Sequence, residues 1–535
     1  MTPTHARPTT EHTRTPAGGL RITLIEHPRQ PSWVHMNDIA NTPLSSSLMT
    51  GYTAGSLEAA GHEVAIVEGN LAGMTIAQVV AAAASTRPQL VGLHLVYDWS
   101  DGGQIAVLLR DLQEACGPTP VFLYGFYPTF AWPELLERHP EVTAVIIGES
   151  ELTVVEMAAA TAAGTPETSP GLAAIPGLAI RGADGAPRLT ASRLPIEDLD
   201  SLAYPRRTPE LLRMREVNIS GSRGCYGSCT FCTINPFYGG RSLWRPRSPE
   251  SVIAEMAAVL EEHPDTSRFY FVDPNFFGPA SRGRVRALTL ARMIRERFHI
   301  RFGLEGRVND IDEELVENLV AAGFDELLIG LESGSDATLR RLNKHTTVEQ
   351  NRRALRILRS YGVEPNVGFI MFEPDSSLDD LRVNLTFLRE ERLLDRLAVT
   401  ANVLYHQQIL LRPTPAYRAA LAAGRLEVSP HNPYEGTMPY LHPEVAFLAE
   451  TMAEVCRHVF SGLPLEVWVG DSSGGAGDDH TGAVDRLAGL NRSLVGLFER
   501  LLDGLAAGRL RPSAELAAEV VGEARAWIET IRRAA

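Results

Sequence analysis

The sequence predicts an α/β protein: a doubly wound, Rossmann-like domain, then a partial (β/α)6 barrel, then a mostly helical C-terminal region. Three observations predict it. Short apolar runs alternate with helix-like stretches in two separate series, a Pro- and Gly-rich connector divides the series, and the pattern turns helical after the second. Repeated strand–helix alternation implies parallel sheets covered on both faces.

In the first series, RITLIE (21–26), EVAIVE (63–68), LVGLHLV (90–96), PVFLYG (120–125) and AVIIG (144–148) read as strands, being short, apolar and bounded by Gly, Pro or charge. Helices are expected between them at 53–60, 76–84, 104–115 and 131–138. Five such units make an open domain over residues 20–165, whose ligand sits beyond the carboxyl ends of its strands. Residues 1–19, rich in Thr, Pro and His, read as a loose tail. Residues 166–210 read as a connector with a hairpin around 182–185.

The second series covers residues 211–418. Its expected strands are EVNIS (216–220), RFYFVD (268–273), IRFGLEGR (300–307), ELLIGLES (326–333), PNVGFIMF (365–372) and LAVTANVL (397–404). Helices are expected at 249–262, 284–297, 312–322, 348–360 and 377–391. Six units point to a full or partial barrel with its chemistry at the strands' C-terminal ends. Residues 419–535 read as helical, interrupted by a Gly/Asp loop at 470–482.

Composition narrows the function. A chain of 535 residues exceeds one core, since a domain takes roughly 100–200 residues. A net charge of −15 argues against nucleic acid as the main partner, because that binding relies on Lys and Arg neutralising phosphates. No segment reaches the roughly 20 apolar residues of a membrane span, and nothing at the start reads as a secretory signal. Five cysteines, three of them clustered, do not make a disulfide framework, so a reducing cytoplasm is the expected location.

The passage GSRGCYGSCTFCTINPFYGG places Cys225, Cys229 and Cys232 in one loop just after a strand. Three thiolates this close can hold one metal centre. A four-iron, four-sulfur cluster normally takes four cysteines, so three leave one iron open for catalysis. The alternative, structural zinc, needs a fourth Cys or His. Cys116 and Cys456 lie far off in helix-like segments and read as small buried hydrophobes.

This spacing, at the head of a six-unit α/β series, resembles the radical S-adenosylmethionine enzyme superfamily over about residues 216–404. The resemblance implies that Cys225, Cys229 and Cys232 bind a [4Fe–4S] cluster whose open iron chelates S-adenosylmethionine. An electron then splits the sulfonium bond, releasing methionine and a 5′-deoxyadenosyl radical, while the protein orients the reactants. It further implies that Phe231 lies near the adenine. A Gly-Gly-Glu motif is absent at 271–275, where Asp273 and Asn275 stand in its place. Glu305 and Arg307 end the next strand, either as a buried carboxylate–guanidinium pair or as cofactor contacts. GLESGS (330–335) resembles the fourth-strand motif, which puts Glu332 and Ser333 beside S-adenosylmethionine, with Ser335 opening a turn or helix. Residues 369–371 pack either on adenine or in the core.

A doubly wound domain ahead of this barrel, joined through LDSLAYPRR (199–207), resembles the cobalamin-binding branch of these enzymes. AAGHEV (59–64), YGFYPTF (124–130), IIGESE (146–151) and WRPRSPESVIAEM (244–256) carry that likeness. It implies cobalamin contacts from Tyr97 and from two turns, one with Gly125, Phe126 and Tyr127, the other with Gly148 and Glu149. No Asp-x-His-x-x-Gly motif is present, so the lower cobalt face has no assigned ligand. His27, His35, His94, Asp98 and Trp99 also lie at strand ends or loops facing that edge, where a structural role competes with cobalt contact. The competing view of the whole domain is an α/β module for another nucleotide-like ligand, or for none. It lacks the G-x-G-x-x-G turn of dinucleotide domains.

The implied function is a cobalamin-dependent radical methyltransferase acting on an unactivated carbon of a small molecule such as a natural-product intermediate. It would be fed by an external electron donor such as flavodoxin or ferredoxin. A cobalamin-dependent radical cyclase or rearrangement enzyme, and a cluster- or cobalamin-based sensor, are the alternatives.

Overall fold

The computed structural model describes residues 19–29, 44–96, 103–164, 170–214, 216–240, 242–428, 434–463 and 481–534. The expected tail, His35, Tyr97, Asp98, Trp99 and most of the Gly/Asp loop lie outside them. The first sheet holds β1 (Arg21–Glu26), β2 (Glu63–Glu68), β3 (Leu90–His94), β4 (Val121–Tyr124) and β5 (Val142–Ile146), parallel and ordered β2-β1-β3-β4-β5. The order reverses between β1 and β3, which opens a crevice at the carboxyl edge there. β3, β4 and β5 are buried at every residue, as strands covered on both faces must be.

The helix before β2 runs Leu44–Ala59, longer than its expected 53–60. Gly51 and Gly55, one turn apart, let the connector cross it. A Cβ at either would stand 2.4 Å from the Arg206 carbonyl oxygen or 2.6 Å from that of Tyr204. The connector also builds structure: β6 (Leu178–Arg181) and β7 (Pro187–Leu189) form the expected hairpin and extend the sheet antiparallel beyond β5. YGFYPTF, expected as a turn, instead opens the helix Phe126–Arg138, with Gly125 as its N-cap at φ 116°. The missing Cβ permits this conformation, so the helix starts five residues earlier than its periodicity suggests.

The second sheet is parallel and ordered β14-β13-β12-β11-β8, from β8 (Val217–Ile219), β11 (Arg268–Phe271), β12 (Arg301–Arg307), β13 (Phe324–Glu332) and β14 (Asn366–Phe369). Val217, Ile219, Phe269, Phe271, Phe302, Leu304, Leu327 and Ile329 join the core under the outer helices. The residues between them, Asn218, Tyr270, Glu305 and Leu328 among them, therefore face the barrel interior. Arg268 ties Glu216, Asp325 and Glu326 together at the N-terminal mouth.

One expected strand is a helix: LAVTANVL lies within Leu397–Tyr405. Eight apolar residues fit either structure by periodicity. Packing against the helices Pro443–Gly462 and Thr481–Ala506 decides for the helix. The sixth-strand place passes to residues 406–408. There Gln407 bridges Phe372 in parallel, and the Phe372 N–H donates to the His406 carbonyl at 3.0 Å. The C-terminal region holds a small sheet that periodicity does not reveal, of β15 (Leu410–Leu411), β16 (Glu427–Val428) and β17 (Glu435–Thr437). Long helices ending with Ala514–Ala534 follow it.

Two short strands, β9 (Ser222–Arg223) and β10 (Arg245–Pro246), pair antiparallel in a two-stranded ribbon of their own. Arg223 reaches Glu149 at 2.7 Å and Glu151 at 2.5 Å, and Arg245 takes the other Glu149 oxygen at 2.8 Å. The Ile196 N–H also donates to Glu149 at 2.9 Å. Phe126 stacks on Phe237 across the same seam, ring centres 4.0 Å apart. Burial opposes charge on Glu149, yet the two arginines outweigh it and hold its carboxyl below the usual range.

Removing the shared acid leaves the buried Arg245 guanidinium without a carboxylate and Arg223 with Glu151 alone. Glu149→Ala is expected to cost about 3–5 kcal/mol in chemical denaturation. Glu58→Ala, in a half-exposed pair with Arg206, should cost under about 1 kcal/mol. Equal losses would show that the seam does not depend on the acid.

Candidate active site

The loop carrying Cys225, Cys229 and Cys232 starts directly after β9 and returns into β10. Gly224, at φ 80°, permits the exit: a Cβ there would stand 1.9 Å from the Leu243 carbonyl oxygen. Asn235 Nδ2 and Ser242 Oγ both donate to the Gly227 carbonyl, at 2.5 and 3.1 Å. Asn343 Nδ2 donates to the Ser228 carbonyl at 2.8 Å, and the Thr230 N–H donates to the Leu342 carbonyl at 3.0 Å. The loop is thus clamped from the segment that follows β13.

All three thiols are free, and Cys225 Sγ accepts the Gly227 N–H at 3.3 Å. Burial pushes the Cys232 thiol up to about 12, so a bound cation is what makes it a thiolate at neutral pH. Cys456 is sealed in the helical core and Cys116 lies against the first sheet's core, so neither supplies a fourth ligand. Among the described residues no three His, Cys, Asp or Glu side chains converge on one metal ion, as a zinc site requires. Thiolates around a cubane each bind a different iron, so this spread donor set fits a [4Fe–4S] cluster. Phe231 is half-buried in the turn between Cys229 and Cys232.

Around the loop, the expected cofactor residues divide. Glu332 is nearly buried at φ 65° and pairs with Lys344 Nζ at 2.7 Å. Gly330 leaves room for that pair, since a Cβ would lie 2.4 Å from Glu332 Oε1. Ser333 is engaged elsewhere: its Oγ donates to Asn384 Oδ1 at 2.8 Å and accepts the Ser335 N–H. Ser335 caps the helix Asp336–Arg341, its side chain accepting the Thr338 N–H. Asp273 accepts the Gly221 N–H and the Ser222 hydroxyl, while Asn275 Oδ1 accepts the N–H groups of Phe277 and Gly278. Both therefore brace turns. Phe369 and Met371 lie in the hydrophobic core.

Glu305 and Arg307 do not pair. Arg307 bonds Asn309, Lys344 and Cys229, all on loops above the strand, whereas the Glu305 carboxyl has no hydrogen-bond or ion-pair partner among the described residues. Burial, then the Asp273 charge, pushes the Glu305 carboxyl up to about 8. Lys344 and the guanidinium–sulfur contact escaped the sequence reading. The signal was LNKH (342–345), where Asn343 and His345 both take positive φ as the chain folds back on the cysteine loop.

At the carboxyl edge of the first sheet, Glu26, His94 and Tyr124 share one row. His94 Nδ1 lies 2.8 Å from Glu26 Oε1, and Thr50 links Glu26 to Tyr124. Burial opposes it, but His94, Arg29 and Thr50 hold Glu26 down to about 2. Burial also pushes His27 down to about 3. Gly125 lies against the His94 ring, where a Cβ would come within 2.9 Å of Nε2, and that nitrogen is buried without a hydrogen-bond partner among the described residues. An orphaned polar atom beside a glycine at the crevice fits a polar ligand at this edge. Tyr127 instead meets Tyr434 edge-on, and the Gly148 N–H donates to Thr129 Oγ1. With both Glu149 oxygens taken by arginines, that carboxylate is a seam residue.

Glu305 gives a pH prediction. Its folded pKa, about 8, exceeds the unfolded value of about 4.3, so the stability it contributes is full below the latter and lost as pH rises through the former. Glu305→Gln mimics the neutral acid. Its thermal midpoint should match the parent's at pH 4 and exceed it at pH 9. Parallel profiles would contradict the assignment.

The chain matches the Radical SAM superfamily over residues 219–388 and the B12 binding domain over residues 48–158. It is 26% identical over 352 residues to the anaerobic magnesium-protoporphyrin IX monomethyl ester cyclase of Rubrivivax gelatinosus, covering 63% of this chain and 61% of that one. The chain therefore spans under two thirds of that relative's length. Its fold is similar to the cobalamin-dependent S-adenosylmethionine radical enzyme OxsB, with a TM-score of 0.76 at 18% identity, covering 96% and 80% of the two chains. It is also similar to the methyltransferase TsrM from Kitasatospora setae, with a TM-score of 0.62 at 17% identity, covering 95% and 99%. Among the described residues no helix is long and apolar enough to cross a membrane. With both modules on one polypeptide, the chain belongs to the cobalamin-binding radical S-adenosylmethionine enzymes, whose cofactors are a [4Fe–4S] cluster, S-adenosylmethionine and cobalamin.

Proposed function

We propose that the chain methylates an unactivated carbon of a small, natural-product-like molecule in the cytoplasm, with electrons from a donor such as flavodoxin or ferredoxin. One observation carries this reading. Arg223, which with Arg245 holds Glu149 of the first domain, lies two residues before Cys225, so the B12-binding domain is fastened at the foot of the cysteine loop. A carbon held there is in reach of both.

When bound, the cluster with S-adenosylmethionine supplies a hydrogen-abstracting carbon radical, and cobalamin supplies a methyl group. The chain's own residues bind and orient. Cys225, Cys229 and Cys232 hold the cluster. The Glu332–Lys344 pair fixes a charged couple beside it for the amino acid end of S-adenosylmethionine, and Phe231 offers an apolar face to the adenine. Gly125, with His94 beneath, lets a flat ligand approach the edge of the first sheet. Glu305, neutral near pH 7, adds a proton-bearing carboxyl inside the barrel without a second negative charge.

Cyclisation or rearrangement without methyl transfer is the second reading, favoured by the cyclase among the relatives. Anaerobic turnover with S-adenosylmethionine, reductant and candidate substrates separates the two. Methyl transfer consumes one S-adenosylmethionine for the radical and one for the methyl, so 5′-deoxyadenosine and S-adenosylhomocysteine should form in near-equal amounts. 5′-Deoxyadenosine alone, with an unmethylated product, would decide for cyclisation.

A further inference from the structure

Arg307 is a buried cation without a carboxylate. It is 6% exposed, and no Asp or Glu lies within ion-pair distance of it among the described residues. Its Nε donates to Asn309 Oδ1 at 3.3 Å, its Nη2 to the Lys344 carbonyl, and its Nη1 to Cys229 Sγ at 3.4 Å. The Tyr226 ring lies 5.5 Å from the guanidinium carbon. The nearby carboxylate of Asp310 spends its oxygens on the Tyr226 hydroxyl and Asn275 Nδ2. Lys344 is already balanced by Glu332. A buried guanidinium with only neutral partners is costly, since burying a charge needs a compensating one. The one partner able to become an anion is the cysteine sulfur.

Gly227 shows that the approach is built in. A Cβ there would stand 2.5 Å from Arg307 Nη1 and 3.4 Å from Cys225 Sγ, so any larger residue would push the guanidinium off the loop.

We infer that Arg307 is the resident counter-charge of the Cys229 thiolate and raises the reduction potential of the cluster. Reduction adds negative charge to the cluster and its ligands. A fixed cation that donates to a ligand sulfur stabilises the reduced form more than the oxidised one, and hydrogen bonds to sulfur and net charge are what set such potentials. Burial keeps the interaction from being screened. The inference rests on the cluster reading of the three cysteines and adds a residue that governs electron uptake.

The test is a redox titration of the reconstituted full-length protein, followed by the electron paramagnetic resonance signal of the reduced cluster. It is run without S-adenosylmethionine, so no ligand carboxylate can pair with Arg307. At the parent's midpoint, Arg307→Gln should show a reduced-to-oxidised ratio about tenfold lower, equivalent to 59 mV for a one-electron couple. Arg307→Lys keeps the charge but loses the directed fork, and should fall between. Gly227→Ala should shift the same way with Arg307 still present. If the Gln variant loses its iron, the Lys and Gly227 variants carry the comparison. Equal midpoints in every cluster-bearing variant would overturn the inference. A parent chain that takes up no iron would overturn the cluster reading itself.

Discussion

One carboxylate shared between two arginines, Glu149 with Arg223 and Arg245, determines where the two halves of this enzyme meet. Glu149 leaves the carboxyl end of β5, while Arg223 and Arg245 face each other across β9 and β10 at the foot of the cysteine loop. With Glu151, which pairs with Arg223, four charges are buried together, so removing the shared acid leaves Arg245 without a carboxylate in a medium that solvates charge poorly. The register follows from that. Phe126 stacks on Phe237, Ile196 of the connector bonds the same acid, and Arg412 reaches back to Glu134 from the C-terminal sheet. The crevice of the first sheet and the mouth of the barrel are therefore held by one polar knot with aromatic flanks.

Charge is managed in the same way at the candidate active site. Glu332 is matched by Lys344, Asp310 by the hydroxyl and amides around it, and Arg307 by a sulfur. Backbone strain gathers here too: Glu332, Asn343 and His345 all take positive φ, which non-glycine residues adopt rarely and chiefly where surroundings enforce it. The segment after β13 turns back onto the cysteine loop, placing a lysine and an asparagine against it. The Glu305 carboxyl has no partner in the barrel interior among the described residues, and burial favours its protonated form.

The parts that could be read from sequence are those with short-range causes. Strand–helix alternation gave both sheets, and the Cys225, Cys229 and Cys232 spacing pointed to one loop that the fold keeps together, because a three-cysteine loop needs no distant partner. Side chains chosen by distant partners were misread. Glu149 was expected at cobalamin because it follows a strand, but arginines about 70 and 100 positions later claim it. Glu305 and Arg307 alternate onto one face of β12, yet the longer side chain reaches loops that the sequence does not place nearby. LAVTANVL is equally apolar as strand or helix, and the helices that decide it begin at Pro443 and Thr481. Ser333 sits in a motif that suggested cofactor contact, and Asp273 and Asn275 stand where such a motif is absent, and each is occupied by turn-bracing bonds that only the folded chain supplies.

The central claim is that the two cofactor-bearing units are fastened into one reaction space. Pulsed electron paramagnetic resonance on the reconstituted chain, with cobalamin as Co(II) and the cluster reduced, tests it directly. The account predicts a magnetic interaction between the two centres, seen as dipolar splitting or faster relaxation, that weakens or broadens in Glu149→Gln. Two independent signals in the parent protein, each unchanged when the other centre is made diamagnetic, would contradict it.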